Sequence, residues 1–213
     1  MILYKTILKE AVCEQTIEKS RFIAYAKPVS TKEEADAFVA EIKGRHKDAT
    51  HNVPAMVIGD RFQLQWGSDD GEPQGTSGAP IVQMLVKEGL TNLVIVVTRY
   101  FGGIKLGTGG LVRAYTGSAK LVLEEAVVCE VKEARIFEIK LDYTYLAKLQ
   151  NMAANGKMAI TDIFYEDMVR ARISCDSTDA EDVRSLLANL TGGKVVYLTD
   201  TVSPVKVPLK RQE

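Results

Sequence analysis

Apolar and polar residues change rhythm several times along the 213 positions, and each change marks an element. KTILKEAVCEQTIE (5–18) and SRFIAYAKPV (20–29) alternate with period two, the pattern of half-buried strands. STKEEADAFVAEIKGRHK (30–47) shifts to helical spacing: Ala35, Phe38, Val39 and Ile42 share a face, and Thr31 with Glu34 forms a capping box. NVPAMVI (52–58) and RFQLQWG (61–67) flank Gly59-Asp60, which predicts a hairpin with a two-residue connection. APIVQMLVKEG (79–89) predicts a helix capped at Ser77 or Gly78, with Pro80 in its first turn. LTNLVIVVTRYF (90–101) is the most apolar strand candidate, which places it centrally in a sheet. A glycine-rich loop follows, then a helix from near Gly110 over LVRAYTGSAKLVLEEA (111–126).

From about residue 134 the pattern restarts. ARIFEIKL (134–141), MAITDIFYE (158–166), MVRARISC (168–175) and KVVYLTD (194–200) predict strands. TYLAKLQNMAANG (144–156) predicts a helix stopped at Asn155-Gly156, and TDAEDVRSLLANLTGG (178–193) one with Thr178 and Glu181 as capping box and Gly192-Gly193 as stop. Strand–helix–strand–strand–helix–strand is the ferredoxin-like order. The expected organisation is an α+β protein with domains at 1–133 and 134–203 and a loosely held, proline-bearing tail at 204–213.

Composition narrows the function classes. Hydrophobic residues make up 46% and charged residues 26%, as in a soluble globular protein. With 27 basic and 28 acidic residues the net charge is −1, so nucleic-acid binding requires a local patch rather than a global basic field. Cys13, Cys129 and Cys175 form no CxxC pair, and with only His46 and His51 beside them they supply no zinc set; no metal and no cofactor are expected. The opening MILYKTILKEAV is interrupted by Lys5, Lys9 and Glu10, which predicts neither a signal peptide nor a membrane span, and a cytoplasmic location without membrane partners.

Candidate chemistry gathers in two loops. RYFGGIKLGTGGLVRAY (99–115) carries Gly102, Gly103, Gly107, Gly109 and Gly110 with Arg99, Lys105 and Arg113 around them. It is no Walker loop, because Thr108 stands where a lysine is needed, and no Rossmann fingerprint, because Val112 occupies the last glycine position. Glycines let several backbone N–H groups face one concavity, and the following helix adds its positive end, so the pattern predicts an anion site. The alternative is a tight turn with close packing. Upstream, SDDGEPQGTSG (68–78) offers Asp69, Asp70 and Glu72, either to hold a cation through waters or to pair with Arg99 or Arg113 and cap turns. Thr76 and Ser77 read as helix caps, His51 as a general base with Asp48 as orienter or a satisfied strand-start histidine, and Phe101 as core.

DATHN (48–52), SDDGEPQGTSGAP (68–80) and TRYFGGIKLGTGGLVRAY (98–115), with KSRFIA (19–24) as a weaker fourth match, resemble the bacterial YigZ family, related to the eukaryotic IMPACT proteins. Val53-Pro54-Ala55-Met56 departs from the family pattern, where a cysteine or aromatic residue follows His51-Asn52. The resemblance implies a first domain folded like the second domain of small-subunit ribosomal protein five, two-layered with a left-handed βαβ crossover. It implies a second domain like the last domain of elongation factor G. It points to RNA or the ribosome as partner, and to translation control through a protein partner in the starvation-sensing kinase pathway. Three functions follow. The first is RNA or ribosome binding, with Arg21, Arg99, Lys105, Arg113, Thr108 and the loop amides on phosphates. The second is an enzyme acting on a small phosphate-bearing metabolite or nucleotide through His51, Asp70 and Glu72. The third is a protein-interaction module.

Overall fold

The order of the first sheet explains why 90–101 is so apolar. The computed structural model describes residues 2–209. Its strands are β1 (Ile2–Ile7), β2 (Ala11–Ile17), β3 (Ser20–Pro28), β4 (His51–Ile58), β5 (Leu64–Gly67), β6 (Leu93–Tyr100), β7 (Val128–Leu141), β8 (Met158–Tyr165), β9 (Val169–Asp176) and β10 (Val196–Pro208). Its helices are α1 (Lys32–Arg45), α2 (Gly78–Lys87), α3 (Gly107–Ala126), α4 (Leu146–Asn155) and α5 (Ala180–Thr191). The first sheet runs β2-β3-β6-β4-β5, with β6 in the middle. β3 and β4 are both antiparallel to β6 and therefore parallel to each other, and α1 connects them across β6.

Both faces of β6 are buried. Leu93, Ile95 and Val97 pack with Ile81 and Leu85 of α2 and Leu111, Tyr115 and Val122 of α3. Val94 and Val96 pack with Ala35, Phe38 and Ile42 of α1 on the other side. Helices thus cover both faces, one layer more than the two-layer expectation, because alternate β6 residues are apolar on both sides.

The second sheet runs β1-β7-β9-β8, and β10 also pairs with β7. Around it, Phe137, Ile139, Leu149, Val169, Ile173, Val183 and Leu187 form a separate core. The described residues divide into two compact units, Leu3–Val131 with 206–209, and Lys132–Val205 with Ile2. It is a two-domain α+β protein.

Several boundaries differ from expectation. The segment 5–18 is two strands, because Leu8 N–H donates to the carbonyls of Ala126 and Val127, an anchor that takes 8–10 out of the strand. β4 and β5 are joined by 59–63 rather than by two residues, with Phe62 at φ 59°. α3 begins at Gly107, so Arg113 lies in its second turn. Thr178 is not a cap of α5; Asp176 caps the short 3-10 turn before it. The expected tail is strand as far as Pro208. β10 runs through Pro204 to Pro208, and pairing with β7 alone leaves an edge at which a missing N–H is tolerated. The remainder of that tail, 210–213, lies outside the described residues.

Candidate functional site

Alternation along β6 turns Val97 and Arg99 to the α3 side of the sheet and Tyr100 to the α1 side. Arg99 stands opposite Phe22 of β3 and His51 of β4, its side chain only 5% exposed. Its guanidinium lies 5.4 Å from the Phe22 ring centre and 5.5 Å from that of Phe101. Nη1 donates to Glu72 Oε1 at 2.6 Å and Nη2 to Ser20 Oγ at 3.2 Å. Nε is buried without a hydrogen-bond partner among the described residues.

Glu72 is the centre of this cluster. Its Oε1 also accepts from the Tyr115 hydroxyl at 2.7 Å. Burial, and then the carboxylate itself, push the Tyr115 phenol far up, so it stays protonated and donating. His51 Nε2 is 3.7 Å from the same oxygen. His51 Nδ1 lies 2.8 Å from the Asp70 carbonyl, which can only accept, so Nδ1 carries a proton. Asp48 does not orient His51 as expected; it accepts from the Tyr100 hydroxyl instead.

The other two carboxylates serve the loop. Asp69 accepts from the N–H groups of Gly75, Ser77 and Gly78 and from the Ser77 hydroxyl, which makes it the cap of α2. Burial raises its carboxyl, but these four donors outweigh that and leave it below the usual range. Ser77 occupies the N-cap position, yet its hydroxyl donates to Asp69 rather than capping, and Thr76 donates to the Pro73 carbonyl. Asp70, at φ 46°, accepts from Lys43 Nζ and from Asn52 N–H, each at 2.6 Å. Asp70 and Glu72 therefore go to different cations, and neither pairs with Arg113.

Glycines in the third motif do different work. A Cβ on Gly102 would fall 2.0 Å from the Lys19 carbonyl carbon, so close backbone approach requires glycine there, and its N–H donates to Ser20 Oγ. Gly107 sits at φ 68° and Gly103 at φ 87°. Gly109 meets no such demand: a Cβ there would touch only Arg113 Nη1, at 3.5 Å. α3 has no side-chain cap, and Gly107, Thr108 and Gly109 are exposed, so its first amides are open.

A cavity of about 340 Å³ joins the two motifs, with Glu72 and Pro73 on one side, Arg99 and Phe101 beside them, and Lys105, Leu106, Gly107, Thr108 and Leu111 on the other. Arg113 lies outside it and lines a neighbouring depression with Lys105 and Gly110. Lys105 and Arg113 are exposed, and no ion pair is formed by either among the described residues. Arg21 is placed elsewhere: it forms a two-bond pair with Glu14, at 2.7 and 2.8 Å, and lies over Tyr100 on the α1 side. His51 does not line the cavity; it stands behind Glu72. Phe101, expected in the core, is 47% exposed, while Tyr115 is fully buried.

Sequence reading missed one cluster. Tyr25 OH is 2.7 Å from His46 Nε2, and His46 Nδ1 is 2.8 Å from Tyr100 OH, which donates to Asp48. Since Tyr100 gives its proton to Asp48, His46 Nδ1–H donates to Tyr100 and Nε2 accepts from Tyr25. Burial holds the His46 imidazole below its usual range and pushes both phenols up. The available signal was the period-two match of Tyr25 and Tyr100 on the α1 face. No group of three His, Cys, Asp or Glu side chains among the described residues is placed to hold a metal ion.

Comparisons with known proteins agree with the motifs. Residues 18–123 match the Impact N-terminal domain, and 139–194 match a domain of unknown function, DUF1949. The chain is 39% identical over 210 residues to the IMPACT family member YvyE of Bacillus subtilis, covering 95% of this chain and 97% of that one. It is 32% identical over 186 residues to the IMPACT family member YigZ of Escherichia coli, covering 86% and 91%. A crystal structure of a hypothetical protein aligns over 98% of both chains with TM-score 0.57 and 28% identity.

Proposed function

The chain belongs to the IMPACT family, and from that premise we propose that it is an RNA- or ribosome-associated cytoplasmic protein that influences translation by gripping phosphate groups at the start of α3. The observation that carries this reading is a helix of 20 residues whose amino end has no side-chain cap, flanked by Lys105 and Arg113, which are exposed and form no ion pair among the described residues. Bare first-turn amides carry the positive end of the helix dipole, and two cations beside them favour an anion. Exposed Phe101 supplies a face on which a base can stack.

Arg99 contributes differently from the sequence expectation. Glu72 balances its charge, so the surface cations do the long-range work. Asp70 and Glu72, the carboxylates of the enzyme reading, are held by Lys43, Asn52, Arg99 and Tyr115 within the fold. That commitment favours a binding surface over a reaction centre. No helix among the described residues is long and apolar enough to cross a membrane.

Filter binding of a 5′-hydroxyl single-stranded RNA tests the reading. Wild type binds with an affinity that falls steeply with salt and shows weak base preference; Arg113→Glu binds at least tenfold more weakly, whereas Asp70→Ala binds as well or better. Equal affinity of wild type and Arg113→Glu across the salt series contradicts it.

A further inference from the structure

We propose that the cavity between Glu72 and the start of α3 binds a phosphate monoester carried on a small, flat body, of nucleoside monophosphate size. The anion preference rests on the reading above, because Lys105 and the α3 amides belong to both sites; the pocketed terminal phosphate is additional to it.

Two independent features point to a ligand. The first is the bare amino end of α3, with Gly107 and Thr108 on the cavity wall. The second is Arg99, which lines the same cavity at 4% exposure with its Nε buried and unpartnered among the described residues. Buried donors in folded proteins nearly always find an acceptor, so an unpartnered guanidinium N–H in the wall of a cavity is a position for a ligand oxygen. Glu72 neutralises Arg99, which leaves Lys105 and the helix dipole to set the sign: the cavity selects an anion.

Charge alone does not distinguish a monoester from the RNA backbone; donor number and size do. Lys105 Nζ, the Thr108 hydroxyl with the first α3 amides, and Arg99 Nε make three sets of donors among the lining residues, as many as the terminal oxygens of a monoester, where a diester has two. A volume of about 340 Å³ is at the small end of ligand sites, suited to one nucleotide rather than a strand. Pro73, Leu106, Leu111 and the Phe101 ring form the apolar part of the lining. The contacts Glu72 makes to Arg99, Tyr115 and His51 all fall on Oε1, so its Oε2 is the acceptor for a hydroxyl on the ligand body.

Calorimetric titration of the full chain with AMP, adenosine and inorganic phosphate is the test. AMP binds, adenosine binds at least thirtyfold more weakly, and phosphate lies between. Thr108→Glu places a carboxylate on the cavity wall at the helix start, where it suits the dipole. It loses at least tenfold in AMP affinity with a Tm no lower than wild type, while Arg113→Glu, outside the cavity, retains AMP binding. AMP and adenosine binding alike or not at all, or Thr108→Glu binding AMP as wild type does, overturns the proposal. If AMP fails while 5′-hydroxyl RNA still binds through Arg113, this site is lost and the functional reading stands; if AMP binds and RNA does not, the reverse holds. A preference for 5′-phosphorylated over 5′-hydroxyl RNA identifies RNA ends as the source of the monoester, and equal binding identifies free nucleotides.

Discussion

Glu72 is buried against Arg99 and Tyr115, and removing its charge leaves the buried guanidinium without a counter-ion among the described residues. Glu72→Gln is expected to lower unfolding free energy in urea by about 3–5 kcal/mol, the usual cost of breaking a buried pair from one side. A loss under about 1 kcal/mol would show that the pair behaves as a surface contact. Asp69 makes a pH-dependent contribution of known sign. Its folded carboxyl holds a proton less tightly than the unfolded one, so its stabilisation is complete above the unfolded value near about 3.9 and is lost as pH falls through the lower folded value. Asp69→Asn therefore costs about 1 kcal/mol at pH 7, and the gap to wild type narrows below about pH 4, measured by denaturation at each pH. Composition and spacing brought these carboxylates to notice, but not their partners. Asp69 bonds residues 6 to 9 positions away, whereas the Glu72–Arg99 pair spans 27. Phe101 was misplaced because it lies one residue past β6, where strand alternation no longer governs.

The start of α3 shows which glycines the fold requires. Gly102→Ala forces a Cβ into the Lys19 backbone and is expected to destabilise by about 1–3 kcal/mol, as overpacking does. Gly109→Ala meets only a flexible arginine tip and is expected to be neutral or to stabilise by up to about 1 kcal/mol through helix propensity. Urea titration of both variants decides this; equal destabilisation would show that every glycine in the motif serves packing. Elements with strong local signals were readable: Thr31 does cap α1, accepting from Glu34 N–H, although the Glu34 carboxylate returns to Ser30 N–H rather than to Thr31. Gly192, at φ 59°, does end α5. Elements set by distant contacts were not. The break between β1 and β2 depends on carbonyls at the end of α3, and no glycine or proline at 8–10 announces it.

At the scale of the molecule, the second half was the more legible. All six elements with their stops lie in one stretch of chain, and the strands order as β10-β7-β9-β8, the ferredoxin-like arrangement. Beyond local signals lay the length of β7, which begins in one unit and continues into the other, and the return of the chain from Lys206 to the first unit. A net charge of −1 gives the whole protein no global attraction for RNA, so the proposed affinity rests on a local patch, which the proposal places at the start of α3. The most direct test is co-sedimentation of purified protein with ribosomes across a salt series, comparing wild type with Lys105→Glu/Arg113→Glu. Wild type should sediment at low salt and be released as salt rises. The double variant should lose most binding at low salt and show a log–log salt slope shallower by about 1.4–1.8, two phosphate contacts' worth. A double variant that sediments as wild type at every salt concentration contradicts the account.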